Sequence, residues 1–161
     1  FFFVTATIPT DSGINMLLSK ECPPGIDCTA DIKERNLLRI VINNNDDIMV
    51  ENELIKLSDL KDITKNFIDN NGDASCNYCH GLKSDDSSEN PSKAVVSLQT
   101  GKQTSYKQFI AVQDELTKAY YELRSTFSLN ILNKPTDNLS EVDLKKLKEA
   151  YPFILSEALT K

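Results

Sequence analysis

The chain has 161 residues, of which 40% are hydrophobic and 26% charged, as in an ordinary folded domain with extensions. Its net charge of −6 argues against a nucleic-acid partner, because phosphate binding needs a basic patch. The sequence has no phosphate loop, no Gly-x-Ser-x-Gly motif and a single histidine, so we expect that it is not an enzyme and has no catalytic residues.

The N-terminal residues form the most apolar run of the chain. Phe1, Phe2, Phe3 and Val4 precede a polar breaker cluster that starts at Pro9. A bilayer span needs roughly 20 apolar residues, so this run is too short to cross alone. We interpret residues 1–8 as the end of a transmembrane helix that begins before Phe1. A buried edge strand and the tail of a signal peptide are the alternatives.

Residues 9–35 are predicted to be a flexible linker. Its Pro23-Pro24-Gly25 sequence breaks both helices and strands. Within the linker, Met16, Leu17 and Leu18 are apolar enough to bind elsewhere as an added strand. We therefore treat these three residues as a candidate partner-binding segment.

The folded domain is predicted to cover residues 36–128. Alternating apolar residues predict a β-hairpin over residues 37–50, and a tight turn at Asn52-Glu53 leads to a short strand or edge at residues 54–57. Ser58 is the predicted N-cap of a helix that ends at the Asn70-Asn71-Gly72 turn.

A long loop and a second helix complete the predicted domain. Residues 72–92 are rich in Gly, Ser, Asp and Asn, which predicts a functional loop or an insertion. Residues 94–99 are apolar on both faces, as expected of a central strand. Thr104 or Ser105 should cap a helix over residues 105–128. Its predicted apolar stripe, spaced three and four residues alternately, is Tyr106, Phe109, Gln113, Leu116, Tyr120, Leu123 and Phe127.

Residues 129–161 are predicted to add a helix and a possible final strand. Ser140 and Asp143 suggest a capping box for a helix that runs to Ala150. The strand is expected at residues 153–155. The predicted fold class is therefore α+β, a small sheet with two main helices packed on it, preceded by the transmembrane stub and the linker.

Four cysteines form two close pairs, Cys22 with Cys28 and Cys76 with Cys79. Even numbers in loop-like sequence suit an oxidising compartment, where they would form two local disulfides. In a reducing compartment, all four could instead bind zinc. The spacing between Cys22 and Cys28 is longer than that of the usual zinc knuckle.

The second pair also matches the C-x-x-C-H motif of c-type haem attachment, with His80 as the iron ligand. A haem needs an apolar pocket, and the flanks of this motif are hydrophilic. We therefore favour a disulfide or free thiols over haem, and we expect no cofactor and no resident metal.

The order of these elements resembles the ExbD/TolR family of biopolymer transport proteins, and is most like its Bacteroidetes-type ExbD members with a long cysteine-bearing loop. The resemblance extends from Phe1 to about Arg124, and Tyr151 to Ala158 also looks like the C-terminal strand of that branch. The segments that carry it are the N-terminal Phe-Phe-Phe-Val-Thr, Arg39–Asn43, Asp47–Glu51, Leu57–Lys61, Ala94–Gln99 and Thr104–Tyr106.

The resemblance implies a single-span inner-membrane protein with a periplasmic domain. Two copies would place their transmembrane helices inside an ExbB-type pentamer, and proton flow would drive work on TonB. The proton-carrying Asp of the family lies in the transmembrane helix, before Phe1, so no residue here takes that role. The family's linker has a Leu-Pro motif. Met16, Leu17 and Leu18 match its apolar part, but Ser19-Lys20 stand where Pro is expected.

Two other function classes stay open. A TolR/MotB-like relative would be a stator subunit that binds peptidoglycan. A tethered redox or haem module would use Cys76, Cys79 and His80.

Overall fold

A computed structural model describes residues 32–159 of the chain. The strands are β1 (Leu37–Ile42), β2 (Ile48–Val50), β3 (Glu53–Ile55), β4 (Val95–Thr100) and β5 (Leu155–Leu159). The helices are α1 (Leu57–Ile68), α2 (Tyr106–Asn130) and α3 (Glu141–Ala150), with short 3-10 turns at Glu34–Asn36 and Thr136–Asn138. The predicted α+β class is confirmed. Among the described helices, none combines the length and the apolar character that a membrane span requires.

The five strands form one mixed sheet in the order β3-β2-β1-β4-β5. The first three strands pair antiparallel, whereas β4 pairs parallel with both β1 and β5. Strands β3 and β5 are therefore the two edges of the described sheet. Strand β1, the first strand of the domain, lies at its centre.

The predicted hairpin over residues 37–50 is confirmed, with Ile42 opposite Ile48. The next turn is centred one residue earlier than predicted, on Glu51 and Asn52, whose φ angles are 49° and 71°. Positive φ at both central residues matches the right-handed twist of a two-residue hairpin turn. That turn places β3 at the sheet edge.

The hydrophobic core lies between the sheet and the helices. It includes Leu38, Ile40, Ile42, Val96 and Leu98 from the sheet, Leu60, Phe67 and Ile68 from α1, and Val112, Leu116, Tyr120 and Leu123 from α2. Helix α1 packs on α2, which in turn packs on α3. Leu38, Ile40 and Ile42 of β1 share the core face because successive side chains of a strand point to opposite faces.

The apolar stripe predicted for α2 is partly wrong. Leu116 and Tyr120 are buried, but Tyr106 at the start of the helix is 77% exposed. Val112 and Ala119, which the stripe omitted, are fully buried. A strict seven-residue repeat drifts by about 20° per heptad around a straight α-helix, so over this length it leaves the buried face.

The predicted start of α1 is also wrong. Its N-cap is Lys56 rather than Ser58, and no side chain caps it. Leu57, the first helical residue, packs against the core. Burial of Leu57 therefore outweighs the cap chemistry that Ser58 offered.

The other two helix starts are confirmed. The Ser105 side chain accepts a hydrogen bond from the Gln108 backbone N–H at the start of α2. Ser140 and Asp143 form a reciprocal capping box at the start of α3. Strand β5 begins at Leu155 rather than at the predicted Phe153, because its pairing with β4 starts where Leu155 lies opposite Val96.

Candidate functional site

Residues 72–92 contain no helix or strand and connect α1 to β4. We call this segment the insertion loop. Its two ends lie side by side, because the backbone N–H of Gly72 donates to the Ser88 carbonyl and that of Asp73 donates to the Glu89 carbonyl. The loop is therefore closed at its base and can act as one ordered unit.

The buried Asn70 side chain anchors the loop from the end of α1. Its amide group donates to the carbonyls of Ser84 and Ser88 at 2.9 and 2.8 Å, and its oxygen accepts from the Ser84 N–H at 2.8 Å. Asn70 is only 2% exposed. Three bonds from one buried amide satisfy loop backbone groups that would otherwise lose their hydrogen bonds to water.

The insertion loop also holds the start of the folded domain. Lys33 Nζ contacts Glu89 Oε1 at 2.8 Å, and the Asn36 amide donates to the other Glu89 oxygen at 2.9 Å. The Arg35 guanidinium donates to the carbonyls of Ser84 and Ser87. We call Lys33, Arg35, Asn36 and Glu89 the N-terminal clamp. It lies where the predicted linker meets β1.

The charge of Glu89 is stabilised within this clamp. Hydrogen bonds from Lys33 and Asn36 lower the pKa of Glu89 to about 2, and burial opposes them. Lys93 adds a further contact at 3.4 Å. The carboxylate therefore stays ionised at neutral pH. The backbone N–H of Glu89 also donates a hydrogen bond to the Asn36 side-chain oxygen.

A second contact joins the insertion loop to the far end of the helices. The ring of Tyr78 lies 5.0 Å from Phe127 and 5.4 Å from Tyr151, with edge-to-face geometry in both pairs. The Tyr78 hydroxyl donates to the Ala150 carbonyl at 2.7 Å. We call Tyr78, Phe127 and Tyr151 the aromatic junction. It fixes the loop against α2 and the end of α3.

The aromatic junction is tied back to α1 by Asp69. The Tyr151 hydroxyl donates to one Asp69 carboxylate oxygen at 2.7 Å, and the His80 backbone N–H donates to the other. Burial is the main cause that raises the pKa of Tyr151, with Asp69 contributing, so the phenol stays protonated. Arg124 holds the Tyr151 carbonyl with two further bonds.

Cys76 and Cys79 flank Tyr78 and are joined by a disulfide, with their Cα atoms 5.6 Å apart. The Asn71 side chain bonds both the N–H and the carbonyl of Cys76. Because both sulfurs are in the disulfide, neither is present as a thiol for haem thioethers or as a thiolate for zinc. Cys22 and Cys28, like Met16, Leu17 and Leu18, lie outside the described residues.

A groove of about 1090 Å³ runs beside the β3 edge, between α1 and the insertion loop. Its lining includes the apolar side chains of Val50, Ile55, Ile63 and Phe67 and charged residues such as Arg39 and Glu51. Within residues 32–159, no group of three or more His, Cys, Asp or Glu side chains is arranged to hold a metal ion.

The anchoring residues were missed by sequence reasoning. Asn70 lies in an Asn-Asn-Gly sequence, where a surface turn is the usual expectation, and Asn36 is a single asparagine directly before the predicted hairpin. Their bonds reach Glu89 and Ser84, which are distant in the chain. No local pattern identifies such partners.

The family model described as "Biopolymer transport protein ExbD/TolR" matches residues 1–126 of the chain. The match includes the insertion loop, the N-terminal clamp and most of α2. No curated protein matches the chain.

Proposed function

Because the chain belongs to the ExbD/TolR family of biopolymer transport proteins, we propose that it is an ExbD-like subunit of an inner-membrane motor driven by the proton-motive force. Members of this family generally have an inner-membrane anchor and a periplasmic domain, and they work with ExbB/TolQ-like and TonB/TolA-like partners. The proposed motor energises TonB-dependent transport across the outer membrane. The match over residues 1–126 carries this proposal.

The N-terminal clamp supports a mechanical role. Lys33, Arg35 and Asn36 of the clamp lead directly into β1, which is hydrogen-bonded on both sides by β2 and β4. A displacement that arrives through the linker therefore enters the domain at the centre of its sheet. The insertion loop would pass this displacement on to the aromatic junction, since it contains both Glu89 of the clamp and Tyr78 of the junction.

The sheet edges support polypeptide binding by strand addition. Strand β3 is exposed at Glu53 and Leu54, and Leu54 is 70% exposed. An added strand would gain backbone hydrogen bonds at such an edge, and the neighbouring groove offers space for its side chains. We propose that a TonB-like protein binds in this way. We also propose that Met16, Leu17 and Leu18 pair with a strand of the second subunit in a homodimer.

The cysteine-bearing insertion loop supports placing the chain nearest to the Bacteroidetes-type ExbD members. Cys76 and Cys79 as a disulfide are compatible with a periplasmic location, since disulfides persist in oxidising compartments. We propose that the described domain lies in the periplasm, and that the chain is anchored by a single membrane span.

Affinity capture of the full-length protein from detergent-solubilised membranes tests the proposal. We expect an ExbB-like and a TonB-like protein to be captured with it, and purified peptidoglycan to leave it in the unbound fraction. Leu54→Asp, at the exposed edge, should weaken TonB-like capture while ExbB-like capture is unchanged. Retention on peptidoglycan without a TonB-like partner would replace the proposal with a TolR/MotB-like stator role.

The proposed subunit pairing has its own experiment. A photo-crosslinking residue placed at Met16 should join two copies of the full-length protein in membranes, and Leu17→Asp with Leu18→Asp should abolish that product. Leu82→Asp is the matched control, because Leu82 is 93% exposed and lies in the insertion loop. Undiminished crosslinking in the Leu17/Leu18 variant would refute the pairing.

A further inference from the structure

We propose that the Cys76–Cys79 disulfide is a thiol–disulfide exchange site, and that its reduction by a dithiol releases the insertion loop from the aromatic junction. The reactant is a dithiol, either a protein with a C-x-x-C pair or a small molecule such as dithiothreitol. The two cysteines and the aromatic junction all lie within residues 32–159, and the exchange does not depend on which partner the domain binds.

The two cysteine residues differ in exposure, and we take this difference to set the direction of attack. Cys76 is 8% exposed and its backbone is held on both sides by Asn71. Cys79 is partly exposed, and the His80 side chain that follows it is exposed. An incoming thiolate therefore reaches the sulfur of Cys79, and Cys76 is the leaving group.

The exchange balances as two successive displacements. The thiolate of the dithiol bonds to Cys79, the Cys76–Cys79 bond breaks, and Cys76 leaves as a thiolate that takes up a proton. The second thiol of the reagent, as a thiolate, then attacks its own sulfur in the mixed disulfide and releases Cys79, which is also protonated. The protein gains two electrons and two protons, and the reagent becomes a cyclic disulfide.

Tyr78 connects this chemistry to the rest of the domain. It lies inside the ring that the disulfide closes, so the disulfide restricts the backbone that presents the Tyr78 side chain. The Tyr78 hydroxyl is bonded to the Ala150 carbonyl, and its ring packs on Tyr151. These two residues end α3 and precede β5, which is an edge strand. Breaking the disulfide therefore loosens the attachment of the edge strand β5.

Single-cysteine variants measure the relative accessibility of the two sulfurs. In a Cys22→Ser, Cys28→Ser background, a further Cys76→Ser change leaves Cys79 as the only thiol, and Cys79→Ser leaves Cys76. We expect an aromatic disulfide reagent to modify native Cys79 at least tenfold faster than native Cys76. Equal rates, or faster modification of Cys76, would overturn the direction of attack.

The release of the loop is tested without changing Cys76 or Cys79. Hydrogen exchange is compared for the oxidised protein and for the protein reduced by dithiothreitol, in the Cys22→Ser, Cys28→Ser background. Exchange in the last turn of α3 and in β5 should rise at least tenfold on reduction, while the amides of β1 change by less than threefold.

A Tyr78→Ala variant separates release from general destabilisation. In its oxidised form it should already show the faster exchange in α3 and β5, and reduction should add less than a threefold change. Uniform acceleration over all strands would mean that the disulfide only supports global stability. Unchanged exchange on reduction, or a disulfide that dithiothreitol reduces only in denaturant, would equally overturn the proposal.

Discussion

Replacing Asn70 tests whether the insertion loop is anchored as described. Asn70→Ala removes two bonds to carbonyls, at 2.9 and 2.8 Å, and one from the Ser84 N–H at 2.8 Å. A net hydrogen bond contributes about 0.5–1.5 kcal/mol, and an orphaned buried group costs about 1–3 kcal/mol. The Ser88 carbonyl keeps its bond from Gly72 and the Ser84 carbonyl keeps its bond from Arg35, which limits the loss. We expect the free energy of unfolding to fall by about 2–4 kcal/mol.

Urea denaturation followed by circular dichroism measures this change. The m-value should stay constant while the midpoint falls, since the variant exposes the same surface on unfolding. The thermal midpoint should drop by about 5–15 °C, given about 2–4 °C per kcal/mol for a protein of this size. Asn70→Asp should be worse than Asn70→Ala, because its carboxylate would face the Ser84 and Ser88 carbonyls.

The matched control is Asn77→Ala in the same loop. Asn77 is exposed, so its replacement should change the unfolding free energy by less than about 0.5 kcal/mol. A loss below about 0.5 kcal/mol for Asn70→Ala would show that the loop does not depend on this anchor.

Two further predictions concern pH and close packing. The bonds from Lys33 and Asn36 lower the pKa of Glu89 from its usual 4.5 to about 2. The contribution of this carboxylate to stability is therefore complete above about pH 4.5 and is lost as the pH falls toward 2. Glu89→Gln should reduce the slope of the thermal midpoint against pH over that window, and an unchanged slope would argue against the clamp. Gly81→Ala would place a methyl group 2.2 Å from the Asp69 carbonyl oxygen and 2.3 Å from the Asn70 Cα, so it should destabilise by at least about 1–3 kcal/mol. Gly72→Ala would meet the end of the Arg35 side chain at 2.0 Å and the Ser88 carbonyl oxygen at 2.9 Å, so it should displace Arg35 from the clamp. It should still cost less than Gly81→Ala, whose nearest atoms are all backbone. Equal midpoints for the two variants would contradict the difference in packing.

Local chemistry made much of the fold predictable. The turn residues after β1 predict the hairpin, and Ser105 and Ser140 predict two helix starts, because each of these signals acts within a few residues. The start of α1 was predicted wrongly because burial of Leu57 overrides a local cap. The buried stripe of α2 was shifted for a similar reason, since the sheet decides which side of the helix is covered.

The functional contacts were less predictable than the elements. The sequence indicated the position of the insertion loop but not the residues that hold it. Asn36 is hydrogen-bonded to Glu89, and Tyr78 to Ala150, although the partners in each pair are far apart in the sequence. An asparagine in a turn and a buried anchoring asparagine have the same local signature, so only tertiary structure distinguishes them.

The parallel pairing of β1 with β4 has a consequence for how the domain is made. Leu37 pairs with Val95, so the central ladder cannot form until the ribosome has produced the whole insertion loop and the strand after it. The hairpin can form early, whereas the distant pairing carries the larger loop-closure cost and is intrinsically slow. Until then β1 has an unpaired side. Correct folding is therefore favoured when β4 becomes available soon after β1, before another polypeptide occupies that side.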